Sequence, residues 1–90
     1  MANSDDPRIE RARIWGPAIG TKFRRQAYRA HSRDWTHDHC VGCGVTFAEY
    51  AGPGYLHEGF VAITAEAEEE WACPDCFETI SGSFGWTADD

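Results

Sequence analysis

A small α+β domain held together by a metal ion is the fold class this sequence predicts, and three observations predict it. Four cysteines stand in two Cys-x-x-Cys pairs, Cys40 with Cys43 and Cys73 with Cys76. The chain has 90 residues, close to the lower limit at which a hydrophobic core suffices, so a staple is expected. Five Phe, four Trp and three Tyr accompany a single leucine, Leu56, which makes a core of rings poorly suited to a helical bundle. The expected architecture is two metal knuckles, a β-hairpin and a short C-terminal helix.

The elements follow in order. Asp6 before Pro7 reads as an N-cap and first helical position, opening a short helix that Gly16-Pro17 stops after Trp15. Residues 1–19 are expected to be an N-terminal arm, dispensable to the metal domain, with its first six residues mobile. Phe23 and Tyr28 lie in a strand or an extended arm that docks from Gly20 onward. Val45 to Tyr50 leaves the first knuckle as a short strand or turn, and Ala51-Gly52-Pro53-Gly54 is a loop. Tyr55 to Thr64 suits a strand, with Phe60, Val61 and Ile63 as β-formers. Ala65 to Glu70 reads as an acidic turn and Trp71-Ala72 as a short strand. Pro74 opens a helix to about Ser83, with Phe77, Ile80 and Phe84 on one face. Trp71, Phe77 and Ile80 are expected over the metal, with Phe60 opposite. Residues 20–86 form the single metal-binding domain and 87–90 a tail.

Two residues between paired cysteines let the chain turn tightly enough for both sulfurs to face one ion, and two such pairs complete a tetrahedron. Gly44, after Cys43, suits a knuckle position of positive φ. Cys76 falls in the first turn of a helix, whose dipole favours a thiolate. A closed set of four thiolates leaves no open position for substrate, so structural zinc is expected, with iron as the alternative. Two other uses of the cysteines stay open. They could form disulfides, and Cys73-Pro74-Asp75-Cys76 has the form of a redox motif, without the βαβ framework that carries one.

The net charge of −7 is segregated. Residues 1–33 hold all eight basic groups and three acidic ones; residues 34–90 hold twelve acidic groups and no Lys or Arg. A basic arm folded on an acidic domain is one consequence. The other is contact with nucleic acid through Arg24 and Arg25, with Phe23 and Tyr28 as stacking rings. The acidic stretch Glu66, Glu68, Glu69 and Glu70 is the candidate face for a basic protein partner. No apolar leader and no run of membrane-spanning length is visible, so no membrane partner and a cytoplasmic location are expected.

Cys40 to Cys76 resembles a rubredoxin: Cys-x-x-Cys-Gly, 29 intervening residues, then Trp71-Ala72-Cys73-Pro74-Asp75-Cys76. That resemblance implies an iron centre and one-electron transfer. The chain departs from it at Phe77, where rubredoxins carry glycine, so the second knuckle should run into a helix. A knuckle, a hairpin and a second knuckle at a helix start looks like a treble-clef or zinc-ribbon-like finger. His37-Asp38-His39-Cys40-x-x-Cys43, Leu56-His57-Glu58-Gly59-Phe60, Trp71-x-Cys73-x-x-Cys76-Phe77, Phe84 and Trp86 resemble a group of small uncharacterised bacterial proteins. This second resemblance covers about Gly20 to Trp86 and implies a fold without an activity.

His37, Asp38, His39 and His57 are the catalytic candidates, because His-Asp-His is similar to the run in HNH nucleases. Here it precedes the first knuckle, no His follows Cys76, and the only Asn is Asn3. His37 and His39 are instead expected to support the metal site by hydrogen-bonding a bound sulfur or a loop carbonyl. In a strand the two share one face. The functional expectation is a non-enzymatic zinc-stabilised module that binds another macromolecule, most often protein. The alternatives are a rubredoxin-like iron protein and a nucleic-acid-binding or HNH-like zinc protein.

Overall fold

The computed structural model describes residues 6–30, 32–64 and 68–89. The expectations of mobility at the N-terminus and of an exposed Glu66 fall largely outside these residues. Eight elements follow one another: α1 (Pro7–Trp15), β1 (Lys22–Ala27), β2 (His37–His39), β3 (Thr46–Ala48), β4 (Glu58–Ile63), β5 (Glu69–Ala72), α2 (Pro74–Phe84) and β6 (Thr87–Asp89).

Asp6 caps α1 as its sequence predicts, its side chain accepting from the Arg8 amide, with Pro7 in the first turn. The cap of α2 is a cysteine: Cys73 Sγ accepts from the Cys76 amide. Gly85, in the left-handed region at φ 65°, ends α2 as a non-glycine residue could do only with strain.

Four strands form a sheet in the order β5-β4-β1-β6; β2 and β3 pair as a separate ribbon. Strands β1, β4 and β5 are antiparallel neighbours, with Arg24 opposite Val61 and Val61 opposite Trp71. This alternation gives the sheet two different faces. Phe23, Ala62 and Ala72 face the helices and pack with Ile9, Ala12, Ile80, Phe84 and Trp86. Tyr28, Val61 and Trp71 face the ribbon and pack with Phe47 and three of the cysteines.

Several expectations are corrected here. Residues 6–19 do not form a peripheral arm: Ile9, Ala12 and Pro17 are buried, so α1 belongs to the core. Residues 87–89 are not a tail, because β6 pairs parallel with β1, Lys22 beside Thr87. Phe23 and Tyr28 are 1% and 3% exposed, so their rings are core and not stacking platforms. Trp71 does pack with the cysteines, but from the ribbon side; Ile80, Phe77 and Phe60 belong to the other face, and Phe77 is only half-buried.

Candidate metal centre

The four sulfurs converge because strand pairing brings the two knuckles together. Cys40 follows β2 directly and bridges in parallel to Trp71 of β5; the Val41 amide donates to the Trp71 carbonyl at 2.9 Å. Cys73 follows β5 and caps α2, and Cys76 lies in that helix's first turn. The backbone between Cys40 and Cys43 folds into a knuckle closed by the Gly44 amide donating to the Cys40 carbonyl at 2.9 Å, with Gly44 at φ 81°.

All four sulfurs lie within 4.8 Å of one another, and among the described residues no other such group of His, Cys, Asp and Glu forms. Cys43 and Cys73 Sγ are 3.8 Å apart, too far for a disulfide. A metal–sulfur bond of about 2.3 Å in a tetrahedron implies a sulfur–sulfur edge of about 3.8 Å. The donor set therefore fits a single metal ion. Gly42 is required for the approach: a Cβ there would stand 2.9 Å from Cys76 Sγ.

Backbone amides solvate the sulfurs. Cys40 Sγ accepts from Gly42 and Cys73 amides, and Cys73 Sγ from the Cys76 amide, each at 3.3 Å. Thiols this close share their charge. Hydrogen bonds from the Cys73 and then the Cys76 side chain hold Cys40 well below the ordinary thiol value. The same contact with Cys40 pushes Cys73 up to about 12, and with Cys73 and burial it raises Cys76. One thiolate is thus stabilised at the expense of its neighbours, and a cation at the centre would displace the remaining protons.

Helix α1 supplies positive charge to this cluster. Arg8 is tied to Asp6 at 2.7 Å and reaches Asp75 at 3.5 Å. Its guanidinium is held charged first by Asp6 and also by the Cys76 sulfur. Arg11 lies over the first knuckle, its Nη2 3.2 Å from where a Gly44 Cβ would be. Sequence reasoning missed both arginines and Gly42. Arg8, Arg11 and Ala12 have the i, i+3, i+4 spacing of one helical face, which was the available signal for the arginines.

His39 Nδ1 lies 3.2 Å from the Gly44 carbonyl and 3.4 Å from Thr46 Oγ1, at the back of the first knuckle. His37 is exposed, its ring 5.2 Å from that of His39. His57 Nδ1 lies 2.8 Å from the Ala48 carbonyl. Asp38 accepts from Tyr28 Oη at 2.8 Å and from Trp35 Nε1 at 3.1 Å, so it anchors the ribbon to the segment before it. Of the described residues in the acidic stretch, Glu68 is exposed, whereas Glu69 and Glu70 are half-buried. Burial, then Glu68, raises the Glu70 carboxyl. Arg24 is exposed on β1, whereas Arg25 pairs with Glu58 at 3.2 Å and lies over the Phe60 ring.

Fold and site together define a small α+β protein with a four-cysteine cluster able to hold a metal ion. No family model matches the chain, and no significant match to it is found among curated proteins or solved structures. Among the described residues, no helix is long and apolar enough to cross a membrane.

Proposed function

We propose that this chain is a non-enzymatic, zinc-stabilised interaction module of the treble-clef or zinc-ribbon kind that binds another protein. The β4–β5 hairpin between the knuckles and the second pair at the start of α2 support that assignment. Four thiolates with three sulfurs buried leave no open metal position, which favours structural zinc. Tetrahedral thiolates also take iron, and metal analysis with an absorption spectrum separates the two.

The observation that carries the binding role is the exposure of large apolar side chains at the end of α1 and in the segment that follows it. Ile14, Trp15 and Ile19 are 64%, 63% and 81% exposed. Trp and Arg dominate the energetics of protein interfaces, and Arg11 lies beside Trp15 in a cleft of about 310 Å³ that His39 and Glu70 also line. Half-burial of Glu69 and Glu70 favours this surface over the acidic stretch. A nucleic-acid role loses its stacking rings to the core.

The test is affinity capture from the host with the unsubstituted chain, Trp15→Ala and Glu68→Gln. A partner held by the parent and Glu68→Gln, and lost at least tenfold by a folded Trp15→Ala, supports the reading. A partner retained by Trp15→Ala, or retention on DNA or RNA that survives physiological salt, overturns it.

A further inference from the structure

We propose that Cys43 is a modification site: its sulfur is where hydrogen peroxide first attacks the metal-loaded cluster. This rests on the reading that the four cysteines hold a metal as thiolates.

The four sulfurs are not equivalent. Cys40, Cys73 and Cys76 are 1%, 5% and 1% exposed, whereas Cys43 is exposed to solvent. Cys40 accepts two amide hydrogen bonds and Cys73 one, and the Arg8 guanidinium addresses Cys76. Among the described residues, no backbone or guanidinium donor reaches the Cys43 sulfur. Donors draw electron density from a thiolate and burial blocks its approach, so both effects protect three sulfurs and leave the fourth. Oxidation of thiolates follows exposure and charge in this way.

The chemistry closes on the chain's own atoms. Cys43 Sγ attacks one peroxide oxygen; the S–O bond forms, the O–O bond breaks, and hydroxide leaves. Sulfur is oxidised by two electrons to a sulfenic acid and peroxide is reduced. Cys73 Sγ, 3.8 Å away, then attacks the Cys43 sulfur. The S–S bond forms, the S–O bond breaks, and a second hydroxide leaves. Two ligands are consumed, and Cys40 with Cys76 alone cannot hold a tetrahedral ion.

The test begins by counting metal in the purified full chain, since a chain without metal refutes the metal reading and not the ranking of sulfurs. The loaded protein is then treated with less than one equivalent of iodoacetamide or peroxide and its peptides are mapped. Cys43 should be alkylated at least tenfold faster than each of the other three. Peroxide should yield a Cys43–Cys73 link, together with metal release read by a chelating dye. Even labelling, or a first disulfide without Cys43, overturns the proposal. In Cys43→Ser, peroxide-dependent release should slow at least fivefold, and release at the parent rate would also overturn it. If that variant holds no metal, mapping of the unsubstituted chain decides alone.

Discussion

Gly42 and Cys76 are pressed together across the metal centre: a Cβ on the glycine would lie 2.9 Å from the cysteine's Sγ and 3.1 Å from its Cβ. Knuckle and helix meet there without room for a methyl group. Gly42→Ala should cost about 1–3 kcal/mol by overpacking and should weaken metal binding. Gly82, inside α2 with nothing within 4 Å of an added Cβ, is the control. Gly82→Ala should gain up to about 1 kcal/mol, read as a rise in Tm.

Removing the metal should unfold the chain. Where the four thiolates hold a metal as proposed, its binding contributes folding free energy directly, so a strong chelator should abolish the cooperative thermal transition. Cys73→Ser should also lose the metal, although serine can still cap α2. A variant lacking all four cysteines that melted cooperatively at the parent Tm would contradict this. Circular dichroism with metal analysis provides the measurement.

The first helix should matter to stability. Ile9 is 4% exposed in the core, so Ile9→Ala should cost about 2–5 kcal/mol in denaturant unfolding. Deleting residues 1–19 removes Ile9, Ala12, Arg8 and Arg11 together, and should lower both Tm and metal affinity.

Tyr28 should shape the alkaline limb of stability. Burial, then its hydrogen bond to Asp38, raises its phenol above the ordinary value. Folding therefore favours the protonated phenol. Its contribution is complete below the unfolded value of about 10 and is lost as pH rises toward the folded one. Stability should fall above about pH 10 by up to about 1.4 kcal/mol per pH unit from this group. Tyr28→Phe should flatten that slope, while costing about 1–2 kcal/mol at neutral pH through the lost hydrogen bond.

The four-cysteine cluster and both helix starts were legible because each depends on local chemistry: cysteine spacing, Asp6 before Pro7, and Pro74 after Cys73. What escaped was pairing between distant segments. Thr87-Ala88-Asp89 has little β-propensity, and only the edge of an existing sheet makes it a strand. Lys22-Phe23-Arg24-Arg25 reads as a basic strip until Arg24 is placed opposite Val61. Its charge then lies outward while Phe23 fills the core. Exposure of Glu69 and Glu70 was misjudged for the same reason: β5 extends through them.

Parallel pairing of β1 with β6 has a consequence for synthesis. Lys22 waits for Thr87, so the sheet cannot be completed until nearly the whole described chain has been translated. At ribosomal rates of about 5–20 residues per second, that delay is roughly 3–13 seconds. Cys40 and Cys43 spend much of it as a nascent half-site awaiting Cys73 and Cys76. Completion of this sheet is therefore timed by the emergence of β6, the strand farthest along the described chain from its partner β1.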